Sequence, residues 1–271
     1  MSQVDEERGW RGRRVGHLPI LVALGLIVVG WQVWPRVRPV ADPTWTLVQQ
    51  EGVLRVGLDP SFPPFEYDDG GSLVGYDVDP AWELSRRIGL RVQFVPVGFD
   101  GLYDGLRAGK YDAIISALPY DPRLTQDVAY SWVYFNAGQR LVVREGGEEI
   151  ETMEDLRGKR VAVEWGSAGD AEARRLARRI GFERVPYLTP REALEALRDG
   201  EVEVAIVDAV SAYGFMGAEG GVKTVGPPVT DEPYVIAVRP DSPILLREIN
   251  LALRAMEEEG VLEELVERWL Y

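Results

Sequence analysis

The chain has 271 residues, 46% hydrophobic and 27% charged, which is long enough for two modest domains with separate cores. Its formal net charge of -14 excludes nucleic acid as an expected partner, because phosphate backbones are bound by clustered Lys and Arg side chains. There is no cysteine, and the single histidine, His17, lies near the N-terminus. The folded part is therefore expected to contain no disulfide, no cysteine or histidine metal site and no cofactor.

The N-terminal fifty residues contain an apolar run between two Arg-containing segments. We interpret them as a cytoplasmic leader (1–17), a transmembrane anchor or signal (18–34) and a linker (35–50). Trp31 and Trp34 suit a membrane interface, and the excess of arginine before the run favours a cytoplasmic N-terminus. A cleavable signal peptide is the alternative, with a weak cleavage junction at Val40-Ala41. The anchored form would place the folded part on the extracytoplasmic face of the cell membrane.

From Glu51 onward, strand patterns alternate with helix patterns, which predicts an α/β fold with helix-covered parallel sheets. The predicted strands are 53–57, 92–97, 112–116, 133–144, 160–164, 185–188, 202–207 and 234–239. The predicted helices are 80–88, 100–109, 152–156, 170–181, 190–200, 243–258 and 261–271. The pattern restarts midway along the chain, so we expect one lobe from residues 51–143 and 230–271 and a second from 144–229. Two crossings between lobes would allow a hinge beside a central cleft.

Residues that follow the predicted strands should face this cleft, because open α/β sheets bind ligands at the carboxyl ends of their strands. These residues are Asp59, Phe62, Phe99, Ser116 to Arg123, Gly166 to Asp170, and Asp208. Alternatives remain open for several of them. Phe62 and Phe65 are either ligand-facing rings or core residues, and Asp208 is either a carboxylate for a ligand cation or the cap of the next helix. Gly166 to Gly169 precedes a helix whose N-terminus either binds an anion or is an ordinary cap.

The order of motifs resembles a known family. The motifs are Leu54-Arg-Val-Gly-Leu-Asp-Pro-Ser-Phe-Pro-Pro-Phe-Glu, Leu73-Val-Gly-Tyr-Asp-Val-Asp, Phe99-Asp-Gly-Leu, Gly109-Lys-Tyr-Asp-Ala-Ile-Ile-Ser, Asp155-Leu-Arg-Gly-Lys-Arg-Val-Ala-Val, Ala193-Leu-Glu-Ala-Leu and Glu267-Arg-Trp. Together they resemble the extracellular solute-binding proteins of family 3, which deliver polar amino acids to ABC importers. The resemblance covers Gly52 to Tyr271. It implies a two-lobed, type II periplasmic-binding-protein fold and a monomer without enzymatic activity. It also implies that the lobes close on a small polar solute, an amino acid or a related cation, which a permease then accepts.

The resemblance also implies roles for individual residues of the first lobe. The rings of Phe62 and Phe99 would sandwich the ligand side chain, since flat faces suit planar or cationic groups. Asp59 would contact the ligand's polar end. Ser116 and the backbone of Leu118 would offer hydrogen bonds.

In the second lobe, the resemblance implies that Asp208 pairs with the ligand's α-ammonium group. Ser167, in the turn before a predicted helix, is a further candidate for ligand binding. Glu164 joins Asp59, Asp121 and Asp208 in a set of carboxylates that would favour a cationic ligand.

The sequence departs from the family pattern on the carboxylate side of the ligand. The family's carboxylate-clamping arginine aligns with Leu124, and Arg123 lies one residue earlier. Pro119 replaces a hydroxyl residue, and Ala168 replaces a threonine. Either Arg123 substitutes for the missing clamp, or the ligand lacks an α-carboxylate or is bound differently.

Two other functional classes remain as alternatives. Related proteins include a cyclohexadienyl dehydratase, in which a carboxylate acts as general acid, and Glu164 is the candidate for that role. A ligand-sensing domain for a membrane partner is the other alternative. The short N-terminal leader leaves no room for a cytoplasmic signalling domain, so such a sensor would require a separate protein.

Overall fold

The computed structural model describes residues 41–147, 150 and 152–271. The predicted leader and membrane anchor therefore lie outside the described residues. Within the described ranges, no helix combines the length and apolarity needed to cross a bilayer.

Strands and helices alternate along most of the described chain, as predicted. The strands are β1 (Val53–Leu58), β2 (Ser61–Phe62), β3 (Glu66–Asp69), β4 (Ser72–Val74), β5 (Arg91–Pro96), β6 (Ala113–Ile114), β7 (Ala129–Asn136), β8 (Gln139–Arg144), β9 (Arg160–Glu164), β10 (Glu183–Tyr187), β11 (Val204–Asp208), β12 (Val222–Val225) and β13 (Pro233–Val238). The α-helices are α1 (Pro43–Glu51), α2 (Val78–Arg87), α3 (Leu102–Arg107), α4 (Ala168–Ile180), α5 (Pro190–Arg198), α6 (Ala209–Ala218), α7 (Pro243–Glu258) and α8 (Val261–Leu270). Short 3-10 helices cover Phe99–Gly101, Pro122–Leu124 and Met153–Leu156.

The first lobe is built on a sheet with the strand order β5-β1-β6-β13-β7. Strand β1 pairs in parallel with β5 and β6, whereas β13 runs antiparallel to β6 and β7. Leu54, Val56 and Ile236 on these strands are fully buried, as expected for strands covered by helices on both faces. The late strand β13 therefore returns to the sheet that contains β1.

The second lobe is built on a sheet with the order β10-β9-β11-β8-β12. Strand β9 lies between β10 and β11 and pairs in parallel with both, so these three strands end at the same edge. Separate apolar clusters cover the two faces. One contains Leu176 and Ile180 of α4, and the other contains Leu194 and Leu197 of α5.

The chain passes between the two sheets in two places that are hydrogen-bonded side by side. Ala137 donates its N–H to the Glu232 carbonyl (3.0 Å), and the N–H of Gln139 donates to the hydroxyl of Thr230 (3.0 Å). A Cβ atom on Gly138 would lie 1.8 Å from the Thr230 carbonyl oxygen. Only glycine fits this close approach, which makes the double crossing a compact hinge candidate.

The first crossing lies earlier than the sequence predicted. Residues 133–144 form one extended apolar segment in the sequence, so the first lobe was expected to reach residue 143. In the structure this segment breaks at Ala137 and Gly138, and all of β8 pairs with β11 and β12 of the second sheet. The predicted boundary is therefore wrong by about the length of β8.

Helix α1 occupies part of the segment 35–50 for which a linker was expected. Asp42 caps this helix through the Trp45 N–H (2.7 Å), and Pro43 is its first residue. The other carboxylate oxygen of Asp42 accepts the N–H groups of Ile244 and Leu245, at 2.8 and 3.0 Å. The linker interpretation is wrong here, because this one carboxylate joins the starts of α1 and α7.

Candidate ligand-binding site

Three strand ends of the first sheet meet around Asp59. Asp59 follows β1, and its N–H donates to the hydroxyl of Ser116 beyond the end of neighbouring β6 (3.0 Å). Its carboxylate accepts hydrogen bonds from the N–H of Phe99, beyond the end of β5 (2.8 Å), and from the Ser61 hydroxyl (2.8 Å). The strand order β5-β1-β6 thus brings together Phe99, Asp59 and Ser116, three of the predicted site residues.

Through these hydrogen bonds Asp59 holds the adjacent loops together, besides any contact with a ligand. Each carboxylate oxygen has one protein donor and can accept at least one more hydrogen bond. A ligand N–H group could therefore bind Asp59 without breaking the contacts that hold the two adjacent loops.

Phe62 and Phe65 occupy different environments, although the sequence left both as possible core residues. Phe65 is fully buried, with its ring edge-on to those of Tyr76, Phe135 and Tyr234. Phe62 is 49% exposed and stacks on Phe65, with ring centroids 5.6 Å apart. The core alternative therefore holds for Phe65, whereas Phe62 presents an open face backed by a rigid ring.

Phe99 provides a second exposed ring in this region, with 46% of its surface accessible. Its backbone is anchored to Asp59, as described above, so the position of the ring is restrained while its face is free. Phe62 and Phe99 are therefore two half-exposed rings, each with a face suited to a planar or cationic group.

Ser116 and Leu118 lie deeper than the sequence suggested. Ser116 is fully buried, and its hydroxyl donates to Oε1 of Glu66 (2.6 Å) while accepting the Asp59 N–H. Leu118 is buried in the core, and its carbonyl accepts the N–H of Val235 (3.0 Å). The Ser116 hydroxyl and the Leu118 carbonyl are thus engaged within the protein, and both residues support the loop on which they lie.

Arg123, another predicted site residue, contacts a neighbouring surface residue and none of the site residues described above. Its guanidinium forms a bidentate ion pair with Asp121, with contacts of 2.6 to 3.1 Å, and 87% of its side chain is exposed. Hydrogen bonds from the Arg123 side chain and backbone lower the pKa of Asp121 to about 2. The pair therefore persists at neutral pH as part of a surface turn.

The second sheet contributes Glu164, Ser167 and Asp208. Glu164 ends β9 and Asp208 ends the adjacent parallel strand β11, so both lie at the same edge of the sheet. Ser167 caps α4: its hydroxyl accepts the N–H of Asp170 (3.0 Å) and donates to the Glu164 carbonyl (2.8 Å). These predicted residues therefore form a second group, on the other lobe.

Asp208 is the N-cap of α6, which was one of its two predicted roles. Its Oδ1 accepts the Ser211 N–H (2.8 Å), and Oδ2 accepts no hydrogen bond from the described residues. The next residue, Ala209, donates its N–H to the carbonyl of Gly138 (3.1 Å) and packs into the core of the first lobe. Asp208 therefore lies next to the hinge with one carboxylate oxygen still available to a ligand.

Asp170 ends the segment Gly166 to Asp170 that was expected to face the cleft, but the sequence assigned its side chain no particular role. It is fully buried, where it accepts the Gly166 N–H (2.9 Å) and forms ion pairs with Arg184 (2.6 Å) and Arg174. Burial opposes ionisation, but the Gly166 amide and the two guanidinium groups lower the pKa of Asp170. A detectable signal was the Ser-x-x-Asp spacing from Ser167, which is typical of a helix start.

Glu66 and Asp77 were also missed as candidates, although both lie in motifs that the sequence singled out. Both carboxyl groups are buried directly beneath Ser116 and Ala117. They accept hydrogen bonds from the Ser116 hydroxyl and the Ala117 N–H.

Among the residues with described positions, no cluster of acidic or histidine side chains is arranged to hold a metal ion.

A family model and individual relatives match almost all of the described residues. The model of bacterial extracellular solute-binding proteins, family 3, matches residues 54–271. The histidine-binding periplasmic protein of Escherichia coli strain K12 is 32% identical over 225 residues, which cover 80% of this chain and 86% of that protein. The lysine/arginine/ornithine-binding periplasmic protein of the same strain is 30% identical with the same coverage.

A similar solved structure is that of an ancestral cyclohexadienyl dehydratase, with a TM-score of 0.76 and 28% sequence identity. The match covers 85% of this chain and 97% of the dehydratase. A match of this extent indicates that the two proteins share a fold. The resemblance found in the motifs is thereby confirmed: this chain belongs to the bacterial extracellular solute-binding proteins of family 3.

Proposed function

We propose that this protein binds an amino acid with a cationic side chain between its two lobes and delivers it to the permease of an ABC importer. The observation that carries the proposal is the pair of strand-end groups. Asp59 and Phe99 follow β1 and β5 of the first sheet, and Phe62 lies in β2, three residues after Asp59. Glu164 and Asp208 end β9 and β11 of the second sheet.

The charges of these groups favour a cation. Asp59, Glu164 and Asp208 contribute three carboxylates, whereas the guanidinium of Arg123 is held by Asp121 in an exposed turn. An ammonium or guanidinium group stacked on Phe62 or Phe99 would combine a cation–π contact with charge-assisted hydrogen bonds.

The relatives support the same ligand class. The two bacterial relatives described above are named for binding histidine and for binding lysine, arginine and ornithine. Each of these ligands is a small amino acid whose side chain carries nitrogen. We therefore expect a basic amino acid to bind better than an acidic or aliphatic one.

Ligand binding would act through the hinge at Gly138. A ligand that contacts Asp59 on one lobe and Asp208 on the other has its full set of contacts only when the lobes approach each other. It therefore shifts the population towards a closed form by its difference in affinity for the two forms. A permease can distinguish the closed form, and no covalent step is required.

The proposal is tested by thermal unfolding of the full-length protein with single amino acids. L-arginine, L-lysine, L-ornithine and L-histidine are compared with L-glutamate and L-leucine. At a ligand concentration about 100 times Kd, binding to the native state adds about 2.7 kcal/mol of stability. For a chain of this size that raises Tm by roughly 5 to 10 °C. No shift with any basic amino acid, or a larger shift with L-glutamate, would refute the proposed ligand class.

We also propose that residues 18–34 anchor the protein in the membrane, with the binding domain on the extracytoplasmic face. The support is the apolar run itself, the arginines before it and the periplasmic location stated in the names of the relatives. Cell fractionation with and without alkaline extraction tests this point. Release of the protein into the soluble fraction would favour the cleavable-signal alternative.

A second candidate function follows from the similar dehydratase structure. Such an enzyme needs a carboxyl group that is protonated near neutral pH to act as general acid. Buried Asp170 does not meet this requirement, because its ion pairs lower its pKa. Glu164, at the end of β9, is the candidate from the sequence, and incubation of the protein with prephenate or arogenate tests it. We expect no turnover; loss of carbon dioxide and water from either compound would establish the enzyme.

A further inference from the structure

Two buried carboxyl groups lie beneath the candidate site without a function so far. Glu66 begins β3 and is 1% exposed, and Asp77 precedes α2 and is 0% exposed. The turn at Gly75 brings them together, since the Asp77 N–H donates to the Phe65 carbonyl (2.8 Å). A Cβ at Gly75 would lie 2.3 Å from that same carbonyl oxygen, so the close approach requires glycine.

Each carboxyl group contacts the loop that forms the floor of the candidate site. Oε1 of Glu66 accepts the Ser116 hydroxyl (2.6 Å), and the same hydroxyl accepts the N–H of Asp59 (3.0 Å). Oδ2 of Asp77 accepts the N–H of Ala117. Hydrogen bonds therefore connect Glu66 through Ser116 to Asp59, whose carboxylate faces the site, and connect Asp77 to the adjacent Ala117.

The surroundings supply donors for one anion only. Asp77 accepts hydrogen bonds from the Tyr134 hydroxyl (2.9 Å) and from the Ala117 N–H. Oε2 of Glu66 is buried and meets no donor among the described residues. Two buried carboxyl groups that have donors for one anion only keep a proton on one of them, and the donor count places it on Glu66.

The titratable groups that face this pair reinforce the same assignment. They are Asp59 at the end of β1, Tyr76 beside Asp77, Tyr134 on β7 and Tyr234 on β13. Burial, and next the charge of Asp77, raises the pKa of Glu66. Burial also raises the pKa of all three tyrosines, so they remain neutral and provide no compensating change. No Arg or Lys among the described residues forms an ion pair with either carboxyl group.

The backbone of Ala117 shows why the loop needs this support. Ala117 has a φ of +39°, a left-handed conformation that is unfavourable for a residue with a Cβ atom. Its N–H is the group that donates to Asp77. Such a conformation persists where its surroundings hold it in place.

We propose that Glu66 and Asp77 share one proton and act as positioning residues that hold Asp59, Ser116 and Ala117 in the geometry that receives the ligand. The proposal rests on the proposed function, because the positioned residues belong to that site. Loss of the proton would place two adjacent negative charges in the core, and the loop that ends in Ala117 would move to relieve them.

The shared proton can be detected without any ligand. Infrared spectra of the full-length protein should show the C=O stretch of a protonated carboxyl group at about pH 7, where exposed carboxyl groups are ionised. Glu66→Gln should remove this band, because the amide keeps the shape and the hydrogen bonds of the protonated acid. Asp104→Asn, at an exposed carboxylate on α3, is the matched control and should leave the band in place. Absence of the band in the wild type would overturn the proposal.

The positioning role has a readout of its own. Amide hydrogen exchange of Ala117 and Asp59 should be slow in the wild type and equally slow in Glu66→Gln. It should become at least tenfold faster at Ala117 in Asp77→Asn, because the two donors bind different oxygens of Asp77 and asparagine has only one acceptor oxygen. Should Asp77→Asn fail to fold, Glu66→Ala serves instead, with faster exchange expected at Asp59. Unchanged exchange in the folded variant would show that the pair does not hold the loop.

The pH dependence of ligand affinity tests whether the shared proton is coupled to the site. With L-arginine as the probe, Kd of the wild type should increase more than Kd of Glu66→Gln between about pH 7 and pH 10. Titration of the ligand's own amino group affects both proteins equally, so the ratio of the two Kd values isolates the shared proton. A constant ratio would overturn the coupling between this proton and the site. If L-arginine does not bind, the ligand assignment fails, whereas the infrared and exchange results still decide the proposal.

Discussion

The strand ends of the two sheets hold their predicted site residues in different ways. In the first lobe, Asp59 is bonded to Phe99 and Ser116, which lie 40 and 57 positions away in the chain. In the second lobe, Ser167 and Asp208 each cap the helix that follows them, through amides only three residues away. The first group is therefore fixed by the tertiary fold, whereas each member of the second is fixed by its own turn.

This difference indicates that the two lobes would contribute differently to ligand binding. A surface whose loops are already bonded to each other loses little conformational freedom when a ligand arrives. We therefore expect the first lobe to supply a prepared aromatic surface. The second lobe would supply charge, chiefly from Asp208, when the hinge closes.

The largest expected effect is at Asp208. Replacing Asp208 with Ala should raise Kd for a basic amino acid roughly 100-fold, since loss of a buried charge pair typically weakens binding by 2 to 5 kcal/mol. Loss of the helix cap should lower the free energy of unfolding by only about 1 kcal/mol. Calorimetric titration gives the first quantity, and urea unfolding gives the second.

Asp208→Ser is the matched control for this prediction. Serine caps helices about as well as aspartate but carries no charge. It should therefore restore the stability of the protein and leave the affinity as low as in the Ala variant. Recovery of affinity with serine would mean that Asp208 acts by capping α6 and not by pairing with the ligand.

A smaller loss of affinity is expected when the exposed rings are removed. Phe62→Ala and Phe99→Ala should each raise Kd about tenfold, a change of about 1.4 kcal/mol, which is in the range of a single aromatic or cation–π contact. Both rings are about half exposed, so the stability of the ligand-free protein should change little. Calorimetric titration against the same basic amino acid measures the effect.

Phe65→Leu provides the contrast within the same aromatic cluster. Phe65 is fully buried and backs the ring of Phe62, so this substitution should lower stability by about 1 kcal/mol or more. Larger destabilisation by Phe62→Ala than by Phe65→Leu would mean that Phe62 acts as a core residue, contrary to the division described above.

Most of the fold could be predicted because its signals are local. Strand β9 and helix α7 have the predicted bounds, Arg160–Glu164 and Pro243–Glu258, since each combines a clear hydrophobic pattern with a cap or a turn at its ends. The break at Gly138 was missed for the opposite reason. Its cause is the close approach of Thr230, which is remote in sequence and leaves no mark on the pattern of residues 133–144.

The candidate site shows the same limit. The positions of Asp59 and Asp208 at strand ends follow from the alternation of elements, so the sequence could select them. The burial of Ser116 and its bond to Glu66 depend on a contact across 50 residues, which spacing alone does not reveal. Glu66 was not selected because the residue type alone does not reveal whether a carboxyl group is buried and protonated or exposed and ionised.

A moderate effect on stability is expected from Glu66, which should make the free energy of unfolding depend on pH. Burial raises the pKa of Glu66 to about 10, from an ordinary value near 4.5. Between these values the native state holds a proton that the unfolded chain has released, so this group stabilises the fold fully below about pH 4.5 and progressively less as the pH rises. The urea midpoint of the wild type, relative to that of Glu66→Gln, should fall steadily from about pH 5 to pH 9.

Comparison with the variant is needed because carboxylates with lowered pKa values, in either lobe, change stability in the other direction. Hydrogen bonds and ion pairs lower the pKa values of Glu203 and Asp170, so their contributions are lost when the pH falls. Both groups are present in the wild type and in Glu66→Gln, and they cancel in the difference. A difference that stays constant with pH would contradict the protonation of Glu66.

The smallest expected effect is at Arg123. Arg123→Ala should change Kd for L-arginine by less than about twofold, because the guanidinium is exposed and already paired with Asp121, and such surface pairs contribute little. Agmatine, which is arginine without its carboxylate, is the matched probe in the same calorimetric titration. If Arg123 turns inward to clamp the ligand carboxylate, the variant will lose affinity for L-arginine and keep its affinity for agmatine. That outcome would assign the carboxylate contact to the first lobe, so that the prepared surface would supply a positive charge besides its rings and the Asp59 carboxylate.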